Sequence, residues 1–325
     1  MVISVSHLKK YYQIHKKEPG FAGSVRSLFS RKYEQSRAVN DISFDIKEGE
    51  LVGFIGPNGA GKTTTLKCLS GLLYPTSGSV TVLGFTPNER KHAYLKQIAL
   101  VMGQKNQLWW DLPAAETFLL NKEIYEISDK EYTHTLDELV DMLDVTDLVN
   151  IPVRKLSLGE RMKMELIAAL IHKPKVLFLD EPTIGLDVVM QKKMRDFIQQ
   201  YNEKSGATIL LTSHYMEDVR QLASRVIIID HGAILYDGKL DSLVKKFAKY
   251  KELSVILETY VPPEQLKEVG EVVRYDFPLV VIRVPRSASN VAAAQLLQKF
   301  PVDDLNIEEP DIEDIIRDVF TTFRK

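Results

Sequence analysis

Residues 56–63 read Gly-Pro-Asn-Gly-Ala-Gly-Lys-Thr, a spacing of glycines, a lysine and a hydroxyl suited to wrapping phosphate oxygens. Gly56, Gly59 and Gly61 give backbone freedom and close approach, with Pro57, Asn58 and Ala60 between them. Successive amide N–H groups and the helix start at Thr64 then face the anion. Lys62 is placed to bridge the β- and γ-phosphates, and Thr63 to offer its hydroxyl to Mg²⁺. A second cluster, Asp180-Glu181-Pro182, ends the apolar run Val176-Leu177-Phe178-Leu179. An aspartate at the C-terminal end of a strand beside such a loop can hold Mg²⁺, directly or through water. The adjacent Glu181 can polarise the attacking water as general base. Together these residues predict that the chain binds a nucleoside triphosphate and cleaves it with Mg²⁺.

Such groups need a rigid frame. Residues 50–55 read as a buried strand and 64–69 as a helix, the strand–loop–helix context that a phosphate loop requires. Residues 2–6 and 42–46 alternate as half-buried strands, and a strand at 80–83 follows the turn Pro75-Thr76-Ser77-Gly78. A strand is predicted over 98–102, helices within 114–150 and a helix over 160–172 that Lys173-Pro174 ends. The uninterrupted apolar run 176–179 suits the centre of a parallel sheet covered on both faces. Helix 188–204, strand 208–211, helix 215–223 and strand 226–230 complete an alternating α/β pattern. From Lys239 to Tyr250 the chain turns polar and lysine-rich. Beyond it we read strand 252–258, helix 263–268, strands 271–276 and 278–284, helix 288–299, strand 302–308 and helix 311–323. That split βαβ pattern predicts a small α+β domain over 241–325, without a catalytic constellation.

Between the two nucleotide clusters lies Leu156-Ser157-Leu158-Gly159-Glu160 at the start of a helix. Here the chain resembles the ATP-binding cassette family, whose signature is Leu-Ser-Gly-Gly-Gln. Leu158 and Glu160 depart from that pattern, while Ser157 and Gly159 keep it. The resemblance implies an α/β fold over residues 1–240, with a mixed sheet around the phosphate loop, an antiparallel β subdomain and a helical subdomain. It implies that Ser157 and the Gly159 backbone bind the γ-phosphate of ATP held by a second cassette subunit, identical or paralogous. A serine hydroxyl, a glycine and a positive helix end suit an anion. It further implies that Gln104 senses the metal and γ-phosphate while contacting the membrane partner. Gly185-Leu186-Asp187 would cross the dimer interface, and His214 would be the switch histidine hydrogen-bonded to the γ-phosphate. Tyr12 would stack on adenine, with Tyr11 as the alternative in the same segment.

Composition narrows the setting. At 325 residues the chain fits one large and one small domain. Its longest apolar run, Leu166 to Ile171, falls far short of the roughly 20 residues that span a bilayer. A formal charge of −2 gives no reason to expect nucleic acid, and the single cysteine, Cys68, suits a reducing compartment and a core position. A cassette without a membrane span must act on another protein, so the resemblance implies transmembrane permease subunits as partners and a place at the cytoplasmic face of the membrane. Trp109 and Trp110, beside Gln104, read either as helical-subdomain core or as a socket for a permease helix. The segment 13–37 carries Phe21, Val25, Leu28 and Phe29 on one helical face with Arg26, Arg31 and Lys32 nearby. It reads as a helix on its own sheet or as a basic segment touching permease or membrane. The lone cassette, the Thr63-Thr64-Thr65 run and the α+β tail resemble the exporter branch that moves drugs, polysaccharides and other bulky cargo. A cassette ATPase working on a soluble complex is the alternative, although the long coiled coils or doubled cassettes of such proteins are missing from this sequence.

Overall fold

The computed structural model describes residues 1–15, 33–103 and 105–323. The chain divides into two compact units, Met1–Asp237 and Gly238–Lys325. In the first unit a six-stranded sheet runs in the order β5 (Ile98–Met102), β6 (Val176–Asp180), β7 (Thr208–Ser213), β3 (Leu51–Ile55), β8 (Arg225–Asp230), β9 (Ala233–Lys239). Strands β5, β6, β7, β3 and β8 are parallel. Every residue of β3, β6 and β7 is buried, which is why they read as unbroken apolar runs rather than as alternation. All C-terminal ends of these strands point one way, and that edge carries the phosphate loop, Asp180 and His214.

The edge strand β9 was not foreseen. It follows β8 through the two-residue turn His231–Gly232, both with positive φ, the geometry a tight hairpin demands. A three-stranded antiparallel sheet, β2 (Tyr33–Ile46), β1 (Ile3–His15), β4 (Ser77–Val82), packs its apolar face into the same core. Its strands outrun the predicted 2–6, 42–46 and 80–83. The physical reason is a bulge at His7, where φ is +52 and the pairing register shifts. The bulge breaks the alternation that would have carried the reading past residue 6. Opposite it, a Cβ at Gly78 would stand 2.2 Å from the His7 carbonyl oxygen, so the predicted turn residue is instead a strand residue at a close crossing.

Helix α1 (Lys62–Leu69) leaves the phosphate loop. Helices α2 (Ala114–Tyr125), α3 (Asp129–Leu143) and α4 (Leu158–Leu170) lie between β5 and β6 in sequence. Ser128 caps α3 by accepting from Glu131 N–H. Helix α5 (Val188–Ser205) starts at Asp187, whose carboxylate accepts from Met190 N–H at 2.9 Å, and α6 (Met216–Leu222) follows β7. Among the described residues no helix is long and apolar enough to cross a membrane.

The second unit begins with α7 (Leu240–Phe247). Its four-stranded antiparallel sheet has the order β11 (Glu271–Asp276), β12 (Leu279–Pro285), β10 (Tyr250–Leu257), β13 (Val302–Glu308). That order is the split βαβ arrangement. Leu253, Val255, Val280, Ile282 and Val284 form one apolar face with Leu296 from α8 (Ser289–Lys299). Helix α9 (Ile312–Phe323) buries Ile315, Ile316 and Val319.

Candidate nucleotide site

The loop 56–61 is shaped by two crossings that no side chain survives. A Cβ at Gly56 would stand 2.1 Å from the Ile229 carbonyl oxygen, and one at Gly61 2.4 Å from that of Ala38. Gly61 also has φ +110 as it caps α1. The loop therefore folds closely over the β8 and β2 backbones. It opens a cleft of about 700 Å³ lined by Tyr12, Asn58 to Thr64, Lys67, Lys105, Asp180 and Glu181.

Lys62 is 5% exposed. Its ammonium donates to the Gly56 carbonyl at 2.6 Å and the Pro57 carbonyl at 3.1 Å, and lies 3.9 Å from Glu181 Oε1. Burial holds its pKa below the ordinary lysine value, with Glu181 and Asp180 opposing. The Thr63 hydroxyl donates to Asp180 Oδ2 at 2.8 Å. Asp180 also accepts from the Thr212 hydroxyl at 2.7 Å, and Thr212 Oγ1 in turn accepts from Glu181 N–H at 3.1 Å. Glu181 has φ +54, a left-handed conformation rare outside glycine. This turn aims its carboxylate back over the loop, where Oε2 meets His214 Nδ1 at 3.0 Å. Lys62, Glu181 and His214 thus form one continuous line of charged and polar groups across the cleft.

The donor set suits Mg²⁺. Thr63 and Asp180 present hard oxygens side by side, and among the described residues no cluster of three or more His, Cys, Asp or Glu could hold an ion alone. Mg²⁺ bound by few carboxylates plus substrate phosphates matches that sparseness.

Tyr12 lines the cleft, with the Lys10 ammonium 5.1 Å from its ring centre. Tyr11 does not line it, and its hydroxyl donates to Asn40 Oδ1 at 2.7 Å. Ser157 and Gly159 lie outside this cleft. Ser157 instead caps α4 in a closed box: its Oγ accepts from Glu160 N–H at 3.3 Å, while its own N–H donates to Glu160 Oε2 at 2.8 Å. The backbone hydrogen bond from Ser157 holds the Glu160 carboxyl below its ordinary pKa. A Cβ at Gly159 would stand 2.8 Å from Met190 Cγ, so the glycine also serves the packing of α4 on α5. Gln104 and the segment Phe21 to Lys32 lie outside the described residues.

Several residues of the site escaped the sequence reading. The predicted strand ends at Leu211, yet β7 continues to Ser213 and pairs Thr212 with Asp180. Behind it, buried Asp218 accepts from Thr183 and Ser213 hydroxyls and from the Arg195 guanidinium at 2.9 Å. Only β-register and the helix α6 place these together, and neither is visible in local spacing.

Residues 39–184 match the family model described as ABC transporter, and residues 249–308 match that of an EvrA-like ABC transporter C-terminal domain. The chain is 36% identical over 215 residues to the ABC transporter ATP-binding protein NatA of Bacillus subtilis (strain 168), covering 66% of this chain and 87% of that protein. It is 33% identical over 226 residues to the bacitracin transport ATP-binding protein BcrA of Bacillus licheniformis, covering 70% and 72%. Among solved structures, the dimeric post-hydrolysis state of the ATP-binding cassette MJ0796 bound to ADP and Pi superposes with a TM-score of 0.61 at 25% identity, over 73% of this chain and 98% of that one.

Proposed function

The chain belongs to the ATP-binding cassette transporter family as an ATP-binding and ATP-hydrolysing subunit, and from that premise we propose how its residues divide the work. Residues 1–240 are the cassette domain and 241–325 an accessory domain. Asn58 to Thr64 cradle the triphosphate, Tyr12 stacks on the base, and Thr63 and Asp180 hold Mg²⁺ with Gln104 completing the set. The bound Mg²⁺ would neutralise charge on the phosphate oxygens. Glu181 polarises the attacking water, and His214 orients Glu181 and donates to the γ-phosphate. Lys62 shifts from the loop carbonyls toward the phosphates. Ser157 and the Gly159 amide serve the ATP of a second cassette subunit.

The observation that carries this reading is the line Lys62–Glu181–His214 laid over a loop whose Thr63 already meets Asp180. Glu181→Gln tests it. That variant should bind ATP with wild-type affinity, accumulate a dimer on size-exclusion chromatography, and hydrolyse ATP about 10²- to 10⁴-fold more slowly. Wild-type turnover in Glu181→Gln removes Glu181 from the role. Undiminished nucleotide binding by Lys62→Ala would count against the cradle itself.

The work is delivered to permease subunits at the cytoplasmic face of a membrane. Trp109 and Trp110 support this: both are about half exposed, with Leu112, Leu119, Leu120 and Ile124 exposed nearby, so their reading as core does not hold. Large aromatics left open to solvent suit an interface anchor. The relative BcrA is named for bacitracin transport, which supports a place in the drug-moving branch of the family. Co-purification of a membrane protein with the chain, lost in Trp109→Ser with Trp110→Ser, checks that assignment.

A further inference from the structure

Between β5 and α2, Gly103 and the strap over 107–112 are each pinned to a neighbouring element. At the near end Gly103 N–H donates to the Asp180 carbonyl at 2.9 Å, and a Cβ on Gly103 would stand 2.1 Å from the Glu181 carbonyl oxygen. At the far end Gln107 N–H and Leu108 N–H both donate to Glu165 Oε1, at 2.7 and 3.2 Å. Glu165 lies two turns into α4, the helix that Ser157 caps, and is 5% exposed. One turn earlier on that helix the Arg161 guanidinium lies 5.0 Å from the Trp110 ring centre. The Trp110 carbonyl accepts from Arg154 N–H at 3.0 Å. Asn121 of α2 donates to the Ala168 carbonyl near the end of α4.

A buried carboxylate is costly unless its oxygens are satisfied. Burial raises the Glu165 pKa, and the two amide bonds and Arg161 oppose that shift. An apolar residue would fill the same space on α4 at less cost, so the carboxylate is accounted for by the two amides it holds.

We propose that Glu165 is a positioning residue that fastens the Gln107–Trp110 strap to the helix bearing Ser157, so that the tryptophans follow Ser157 when ATP is clamped. The inference rests on the reading that ATP is held between the phosphate loop and a partner's Ser157. Nucleotide binding is therefore measured separately from the strap's response.

Trp109 and Trp110 are the only two tryptophans of the chain, so intrinsic fluorescence reports this segment alone. In the full-length protein, acrylamide quenching of tryptophan emission is compared with and without saturating Mg·ATP, beside binding of a fluorescent ATP analogue and steady-state turnover. Wild type should change its quenching on ATP binding. Glu165→Ala should bind the analogue within about twofold of wild type, lose most of the quenching change, and lower kcat about tenfold with KM little altered. Hydrogen exchange at the Gln107 and Leu108 amides should quicken with it. Glu165→Gln keeps an acceptor of the same shape without the charge; it should lie between the two, and it decides the matter if the alanine variant fails to fold. The proposal is overturned if Glu165→Ala keeps the quenching change, if KM rises in step with the fall in kcat, if Glu165→Gln leaves exchange and response unaltered, or if wild type shows no change on binding ATP. A wild type that binds no ATP would instead sink the nucleotide reading on which it rests.

Discussion

The two halves of the nucleotide machinery are built in opposite ways. Around the phosphate loop, Lys62, Thr63, Asp180, Thr212, Glu181 and His214 are already linked across α1, β6, β7 and the turns that follow β6 and β7. Ser157, by contrast, bonds to the start of its own helix, to Glu160 and Arg161, and Leu158 beside it is 38% exposed. The first half is preorganised and needs only its ligand. The second presents a helix end outside the cleft, as the proposed completion by another subunit requires. Preorganised polar groups cost no rearrangement at the moment of reaction, which supports the proposed division of chemistry to the first half and control to the second.

That contrast breaks most forcefully at Asp218. Its carboxylate, nearly inaccessible, pairs with Arg195 and accepts from Thr183 and Ser213. Thr183 follows Glu181 by two residues, and Ser213 precedes His214, so one buried group holds both catalytic segments. Asp218→Ala leaves Arg195 buried and unpaired, a change that costs about 3–5 kcal/mol. Urea unfolding should register that loss. ATP turnover should fall even where the protein stays folded, whereas Ser157 would keep its cap. A variant with wild-type stability would mean that the first half is not held by this network.

Acid should act on the other half first. His172, just past α4, stacks on Tyr125 with ring centres 3.8 Å apart and donates from Nε2 to the Ile98 carbonyl at 3.0 Å. Burial pushes its pKa down to about 4, the carbonyl bond partly opposing. In this folded state the ring stays neutral while the unfolded chain binds a proton near pH 6.5. Stability is therefore fully present above pH 6.5 and falls as pH drops toward 4. Each unit of pH in that window costs about 1.4 kcal/mol, or ~2 kcal/mol by pH 5. His172→Gln should flatten this part of the stability profile in pH-dependent unfolding; an unchanged slope would remove His172 as its source.

How much of this was legible in the sequence follows from where each residue's partner lies. Lys62 and Thr63 were legible as candidates because a strand, a loop and a helix contiguous in sequence fix their relation, and Asp180 and Glu181 because they end an unbroken apolar strand. The buried strands were found because a run without polar residues has few alternatives. Thr212, Asp218 and Arg195 were hidden because their meaning depends on which strands neighbour which, and parallel register leaves no local mark. Strand β9 and the long β1–β2 pair were missed for a related reason: bulges and a two-residue turn interrupt the alternation by which such strands are read. Tyr11 and Tyr12 were separable only by direction, since adjacent strand residues face opposite ways.

The smallest expected effect is the sharpest discriminator between the halves. Ser157→Ala removes the oxygen that accepts from Glu160 N–H, a cap whose loss costs about 1 kcal/mol. Glu160→Gln keeps an acceptor for Ser157 N–H and should cost less than that. If Ser157 serves only as a cap, both variants should shift thermal stability modestly and leave turnover alone. If it also serves a partner's ATP, Ser157→Ala should keep wild-type nucleotide affinity in dilute protein, where single chains prevail. It should then lose turnover as concentration rises and wild type gains it. Glu160→Gln should keep that gain, because the hydroxyl and the Gly159 amide remain. Turnover that scales with concentration identically in Ser157→Ala and wild type would make the helix end a structural cap and nothing more, and the contrast between the two halves would fail with it.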